Sequence, residues 1–157
     1  MIIDAYTKQL MGWELSIIKD SQAAISASKM ALETASKTPI FYARKLIMHT
    51  DQGSAYIASD YIRYWRTLGV TLSTADKGKP TQNPYIEAFF SILSRFWLKY
   101  HEFLTIYDAK EKLLDFFNRY NQEWPHGALN NLSPSQKLQE YLDAQKEKQN
   151  RSLAAPT

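Results

Sequence analysis

The sequence predicts a single α/β domain in which a mixed sheet is flanked by helices. Three observations carry that expectation. Short runs rich in β-formers alternate with stretches whose apolar residues recur at helical spacing, the pattern of a layered α/β chain. At 157 residues, 45% apolar and 13% aromatic, the chain can bury a real core and defaults to one domain. Polar segments bearing Gly and Pro separate the periodic stretches, without internal repeats or low-complexity tracts.

"MIID" and "LMGWELSII" are β-rich and separated by polar "AYTKQ", which predicts an antiparallel hairpin with Gly12 near an edge or bulge. "SQAAISASKMALETASK" (21–37) carries Ala24, Ile25, Ala27, Ala31, Leu32 and Ala35 at helical spacing, with Ser21 as the expected N-cap and Pro39 as the stop. "KLIMHT" reads as a short buried strand. "ASDYIRYWRTLG" reads as an amphipathic helix with Ile62, Trp65 and Leu68 on its inner face and Gly69 as C-cap. "VTLST" is a further strand, and "ADKGKPTQNP" a polar loop. A helix is expected from Pro84 to about Lys99, with the proline in its first turn. "YDAKEKLLDFFNRYNQEW" predicts another, burying Leu113, Phe116, Phe117 and Tyr120. The last helix starts at Ser133 as cap and Pro134 as first residue, then runs out into a solvated, frayed tail.

Composition excludes several classes. Nineteen Lys and Arg against sixteen Asp and Glu leave a net charge of +3, which permits a nucleic-acid partner without demanding one. Cysteine is absent, so disulfide frameworks and thiolate metal sites are ruled out. No apolar run approaches the roughly 18 residues that suggest a membrane span, and the first residues lack the basic-then-apolar pattern of a signal peptide. A soluble, cytoplasmic protein is the expectation.

Asp51 and Glu87 are the carboxylates that matter. Asp51 closes the "KLIMHT" strand, and Glu87 lies in the first turn of a helix with 35 residues between them. A parallel crossover returns the chain to the same sheet, so both groups can face one site at the strand ends. Hard divalent cations take oxygen ligands of this kind, and two such metals can activate water and stabilise the leaving oxygen of a phosphodiester. By spacing alone the pair is not distinguished from two surface carboxylates.

The surrounding words are more specific. "HTDQGSAY", then "GVTLSTADKGKPTQNPYIEAFFSILSR", then "FFNRYNQEWPHGALNNLSPSQKL" resemble, in order and interval, the catalytic core of OrfAB-type insertion-sequence transposases, members of the retroviral-integrase superfamily with an RNase H-like fold. The likeness runs from "IIDAYTKQLMGW" to about Leu142, so residues 1–142 are expected to form the core and 143–157 a helix end and tail. The resemblance implies a Mg²⁺- or Mn²⁺-dependent enzyme that cuts and joins DNA, working at the nucleoid. Asp51 matches the family's second metal-binding Asp and Glu87 its metal-binding Glu. Lys77, Lys79, Gln82 and Asn83 fall in the loop before the catalytic helix and are expected to approach phosphates or bases, with Arg95 as a further DNA contact. His126 matches the histidine of the family's Pro-His phrase, where a packing role competes with contact to DNA. His49 is expected to support the strand end, not to bind metal.

The resemblance also implies departures. The family's first catalytic Asp lies on a strand preceding "MIID", so the chain is expected to begin one strand late and to lack the central strand of its sheet. Asp4 matches a hairpin-turn residue instead, for which turn chemistry is a sufficient reason. Two unpartnered strand edges would then remain, predicting self-association. Where the family carries Lys or Arg seven residues after its Glu, this sequence has Ser94, and Trp124 stands where an Arg is common. Two readings follow: a transposase core fragment, inactive alone for want of its first Asp, or a non-enzymatic remnant that binds DNA or pairs with an intact transposase.

Overall fold

The computed structural model describes residues 1–38, 45–76 and 82–154, with side chains to residue 151. Its elements follow the expected order: β1 (Ile2–Ile3), β2 (Leu10–Gly12), α1 (Ser21–Ser36), β3 (Ile47–Thr50), α2 (Ser54–Ile57), α3 (Ser59–Thr67), β4 (Thr71–Thr74), α4 (Pro84–Phe96), α5 (Ile106–Glu123) and α6 (Pro134–Ala154). The strands form two separate two-stranded sheets: β1 and β2 pair antiparallel, β3 and β4 parallel. The parallel pair is joined through α2 and α3, the strand–helix–strand crossover that the alternation predicts.

The hairpin turns on Asp4. Its Oδ1 accepts from the Thr7 amide at 2.6 Å, the Thr7 hydroxyl at 2.7 Å and the Tyr6 amide at 3.2 Å, so the carboxylate is absorbed by the turn, as its sequence context suggests. The second strand is shorter than "LMGWELSII" implies. Pairing stops at Gly12, and Ile17 and Ile18 are exposed. Gly12 is fixed by packing more than by its edge position. A Cβ there would lie 2.1 Å from the Ala27 carbonyl oxygen and 2.6 Å from the Ala31 amide nitrogen, so only glycine lets β2 lie against α1.

Two local expectations are corrected. The N-cap of α1 is Asp20, whose side chain accepts from the Ala23 amide at 2.9 Å. Ser21 is the first helical residue, and its hydroxyl donates to Asp60 Oδ2 at 2.7 Å, tying α1 to α3. A carboxylate caps better here because it also answers the helix dipole. In α3 the buried face is Tyr61 and Trp65. Ile62 is half-buried and Leu68 lies at the surface, because the aromatic rings of Tyr56, Tyr61, Tyr64 and Trp65 pack edge-on to one another and set the helix rotation.

Two apolar clusters hold the chain together. One joins Leu10 and Trp13 to Phe89, Leu93 and Trp97 of the α4 segment and to Leu113, Phe116, Phe117 and Tyr120 of α5. The other joins Ile25 of α1 to Tyr61, Trp65 and Val70, with Ile2, Leu46, Met48 and Leu72 packed against it. The four residues foreseen as the inner face of α5 are its buried ones. Ser133 and Gln136 form a reciprocal capping box at the start of α6, Gln136 Oε1 accepting from the Ser133 amide at 2.8 Å and Ser133 Oγ accepting in return at 3.3 Å.

Candidate functional site

Asp51 follows the last residue of β3, in the turn that leads to α2. Its Oδ1 accepts from the Gly53 amide at 2.8 Å, which orients the carboxylate and leaves Oδ2 unengaged among the described residues. A Cβ on Gly53 would sit 2.9 Å from that Oδ1 and 3.3 Å from the Tyr56 ring, so the glycine keeps the carboxylate in place. Tyr56 flanks the turn. Burial pushes its phenol above the ordinary value first, with the neighbouring Tyr61 and the Asp51 charge adding to the shift. Gln52 closes the far side, donating to the Ala75 carbonyl oxygen at 3.2 Å just after β4.

Glu87 lies in the first turn of α4, exposed, with Pro84 opening the helix and Asn83 as N-cap. His49 brings this helix start to the end of β3. Its Nε2 donates to the Gln82 carbonyl oxygen at 3.1 Å, and its Nδ1 takes the Ser73 hydroxyl at 2.9 Å, a pair of contacts that a neutral ring in one tautomer satisfies. The supporting role expected of His49 is therefore what its contacts describe. Asp51, Asn83, Pro84 and Ile86 line the same cavity. Glu87 is not among its lining residues; its amide donates to the Asn83 carbonyl oxygen at 3.4 Å, and its carboxylate makes no ion pair or hydrogen bond among the described residues.

The remaining site residues divide by environment. Gln82 is held by Asp76: its Oε1 accepts from the Asp76 amide at 2.7 Å and its Nε2 donates to Asp76 Oδ2 at 3.2 Å, which ties residue 82 to the residue just past β4. Asn83 makes no side-chain cap bond. Lys77 and Lys79 lie outside the described residues. Arg95 is exposed in the last turn of α4, on a different face from Ser94.

His126 is drawn inward. Its ring stands edge-on to Tyr120 at 5.2 Å and its Nε2 is buried without a hydrogen-bond partner among the described residues. Its main chain pairs with Leu132 and accepts from Leu129 and Asn131. Burial, then the charge of Lys8, lower its pKa below the ordinary histidine value. Two partnerships had no signal beyond the family phrase itself. Asn121 of "YNQEW" grips both main-chain groups of Leu10, accepting at 2.8 Å and donating at 3.0 Å. The Tyr120 hydroxyl donates to the Lys8 carbonyl oxygen at 3.0 Å.

The donor chemistry at Asp51 and Glu87 is all oxygen, which suits a hard divalent cation in a site completed by water and phosphate. Among the described residues no group of three or more Asp, Glu, His or Cys is clustered for a metal. No helix among them is long and apolar enough to cross a membrane.

Comparison with known proteins agrees with the sequence phrases. Residues 1–80 match a family described as Integrase core domain, and residues 68–134 match a second family of the same description. The transposase for insertion sequence element IS904 of Lactococcus lactis is 29% identical over 133 residues, 84% of this chain and 51% of that protein. An uncharacterized protein of insertion element IS407 from Burkholderia multivorans is 31% identical over 86% of this chain and 46% of its own length. Transposase InsF for insertion sequence IS3A of Escherichia coli is 28% identical over 87% and 46%. The chain thus spans about half the length of the relatives it matches. With two overlapping matches that together run from residue 1 to residue 134, and with insertion-sequence relatives across most of its length, the chain belongs to the integrase core domain family of insertion-sequence transposases, whose fold is RNase H-like.

Proposed function

We propose that this chain is the Asp51- and Glu87-bearing part of a transposase core, built for metal-dependent cleavage and joining of DNA and inactive when it acts alone. The observation that carries the reading is the His49 bridge. One side chain at the end of β3 ties the start of α4 to the strand that delivers Asp51. A divalent cation bound there supplies activation of a water or a DNA hydroxyl and neutralisation of charge on the scissile phosphate. Asp51, oriented by Gly53, and Glu87, projecting from a helix start, are the residues to hold it. Two carboxylates leave more of the coordination sphere to water and phosphate than three, so metal affinity is weak and in-line geometry is poorly fixed. DNA contact through the 76–83 loop and Arg95 is driven by phosphate charge and weakens with salt.

Two measurements test this. Titration with Mn²⁺ should broaden amide signals of residues 51–53 and of the first turn of α4, with the effect lost in Asp51→Asn and in Glu87→Gln. Uniform or absent broadening refutes the metal assignment. In a divalent-dependent nicking assay on insertion-element end DNA, this chain and Glu87→Gln should be equally inert. Cleavage by the unaltered chain that disappears in Glu87→Gln would overturn the inactivity while keeping the site.

A further inference from the structure

The segment that joins α4 to α5 is pinned in a shape that turns its apolar side chains outward. After Phe96 the chain makes a short 3-10 turn (Leu98–Tyr100) and enters α5 at Ile106. Trp97 is buried and anchors the segment. Its ring stacks on His101 at 4.2 Å and tilts against Phe103 at 5.6 Å and Phe116 at 5.5 Å. His101 Nδ1 donates to the Trp97 carbonyl oxygen at 2.8 Å. From the other side, Lys112 of α5 donates to the Glu102 carbonyl oxygen at 3.1 Å and to Asp108 Oδ2 at 3.0 Å. The same Asp108 oxygen accepts from the Leu104 amide at 3.1 Å, and Thr105 caps α5 by accepting from the Asp108 amide at 3.1 Å. The connector is therefore held at both ends and in its middle, and its outward side chains are preorganised.

Those side chains form one patch. Tyr100 is 69% exposed, Phe103 38%, Leu104 89%, Ile106 41% and Tyr107 82%, and their closeness in the chain keeps them together. With large side chains covering about 150–250 Å² when buried, the five present roughly 600 Å². That is at the upper end of the roughly 300–600 Å² of the largest patch on an ordinary monomer. Homodimer faces are about 65% apolar, so a face built around this patch spans roughly 900 Å². A standard interface takes about 800 Å² from each partner. The area suits a stable protein–protein contact.

Charge selects the partner. Lys99 precedes the patch, Glu102 lies within it, and Glu111 follows Tyr107 by one turn on the same helix face. Among the described residues the Lys99 ammonium touches only the Tyr100 ring, at 5.8 Å, and the carboxylates of Glu102 and Glu111 have no polar partner. A phosphate backbone would meet more free carboxylates than free cations here, and Leu104 and Ile106 offer no ring for a base to stack on. An apolar centre rimmed by unpaired charges of both signs is instead complementary to itself under a two-fold rotation. Lys99 of one copy then faces Glu102 of the other, while Leu104 and the tyrosine rings close the centre.

We propose that the α4–α5 connector, centred on Leu104 and Tyr107, is an interface at which two copies of this chain meet about a two-fold axis. This goes beyond the metal-site reading and does not depend on it.

Sedimentation of the full chain tests this. Its mass should rise from one chain to two as concentration climbs through the micromolar range. Leu104→Glu and Tyr107→Glu change exposed residues that belong to neither apolar cluster. Each should keep the far-ultraviolet circular dichroism and raise the dimer Kd by about tenfold or more. Ile47→Lys, on the exposed edge of β3, should leave that Kd unchanged. Because the chain has no cysteine, Leu104→Cys reports the contact directly: mild oxidation should link it into covalent pairs at least about tenfold faster than Ile57→Cys, an exposed position on α2. The proposal is overturned if the unaltered chain stays monomeric throughout that range, or if a folded Leu104→Glu pairs as tightly as the unaltered chain. It is equally overturned if Ile47→Lys alone abolishes pairing, which would place the contact at a strand edge. Should the glutamate variants unfold, the cysteine pair decides, and linkage of Leu104→Cys no faster than that of Ile57→Cys sinks the interface.

Discussion

Glycine at position 12 shows how one missing carbon shapes a contact. Any Cβ would occupy the space of the Ala27 carbonyl and the Ala31 amide, both of them helix backbone and unable to swing aside. Gly12→Ala should cost about 3 kcal/mol by forcing β2 from α1, read as a lowered urea midpoint; a loss below about 0.5 kcal/mol would mean the helix shifts freely. His126 gives a pH signature of the same scale. Its folded pKa is lowered by burial and by Lys8, so the unfolded chain takes up the proton first as pH falls. Its contribution to stability is present above the unfolded value near 6.5 and is lost as pH drops below it toward the folded pKa. His126→Phe keeps a ring against Tyr120 and should flatten the stability profile between about pH 7 and 5.5. An unchanged slope would show that other groups set it.

Elements are joined by a few polar side chains at their ends, and these are where the sequence was least legible. Asn121 of α5 substitutes for a neighbouring strand along Leu10. Asn121→Ala strands one donor and one acceptor and should lower stability by about 2 kcal/mol, with faster exchange at the Leu10 amide. Exchange there at the unaltered rate would remove Asn121 from that role. What could be read ahead was local: the α5 face, Ser133 as a cap, Pro84 at the start of α4, and the existence of strands around Met48 and Leu72; the buried character expected of "KLIMHT" was not, since β3 has no buried residue and Ile47 is 68% exposed. What could not be read was tertiary. Asp20 displaced Ser21 as the cap because Ser21 was drawn to Asp60, and α3 turned toward its tyrosines because aromatic packing outweighs aliphatic periodicity. At the site, the family phrases single out Asp51 and Glu87, and the place of His49 beside Asp51 suggested the strand-end contacts that it makes to Ser73 and Gln82. That Gln82 folds back on Asp76 was not, since an amide in a polar loop carries no sequence mark of its partner.

At the scale of the whole molecule, the two apolar clusters are unequal. The α4–α5 cluster has nine buried members and is closed by β2 and Asn121. The α1–α3 cluster has four, and among the described residues the β3 edge at Ile47 and His49 has no main-chain partner. Local stability follows buried apolar contact and protected backbone bonds, so the smaller cluster should open at lower denaturant. Tryptophan makes this measurable without a label. Trp13 and Trp97 belong to the larger cluster with Trp124 packed on it, and Trp65 belongs to the smaller. A variant keeping Trp65 alone, with phenylalanine at the other three positions, should therefore unfold at a urea midpoint lower by about 0.5 M or more than Trp65→Phe, the two comparisons being made against far-ultraviolet circular dichroism of each variant. Coincident transitions in the free chain would show that α1, which touches β1, β2 and α3 alike, already couples the halves into one cooperative unit, and that the open edges cost the molecule little.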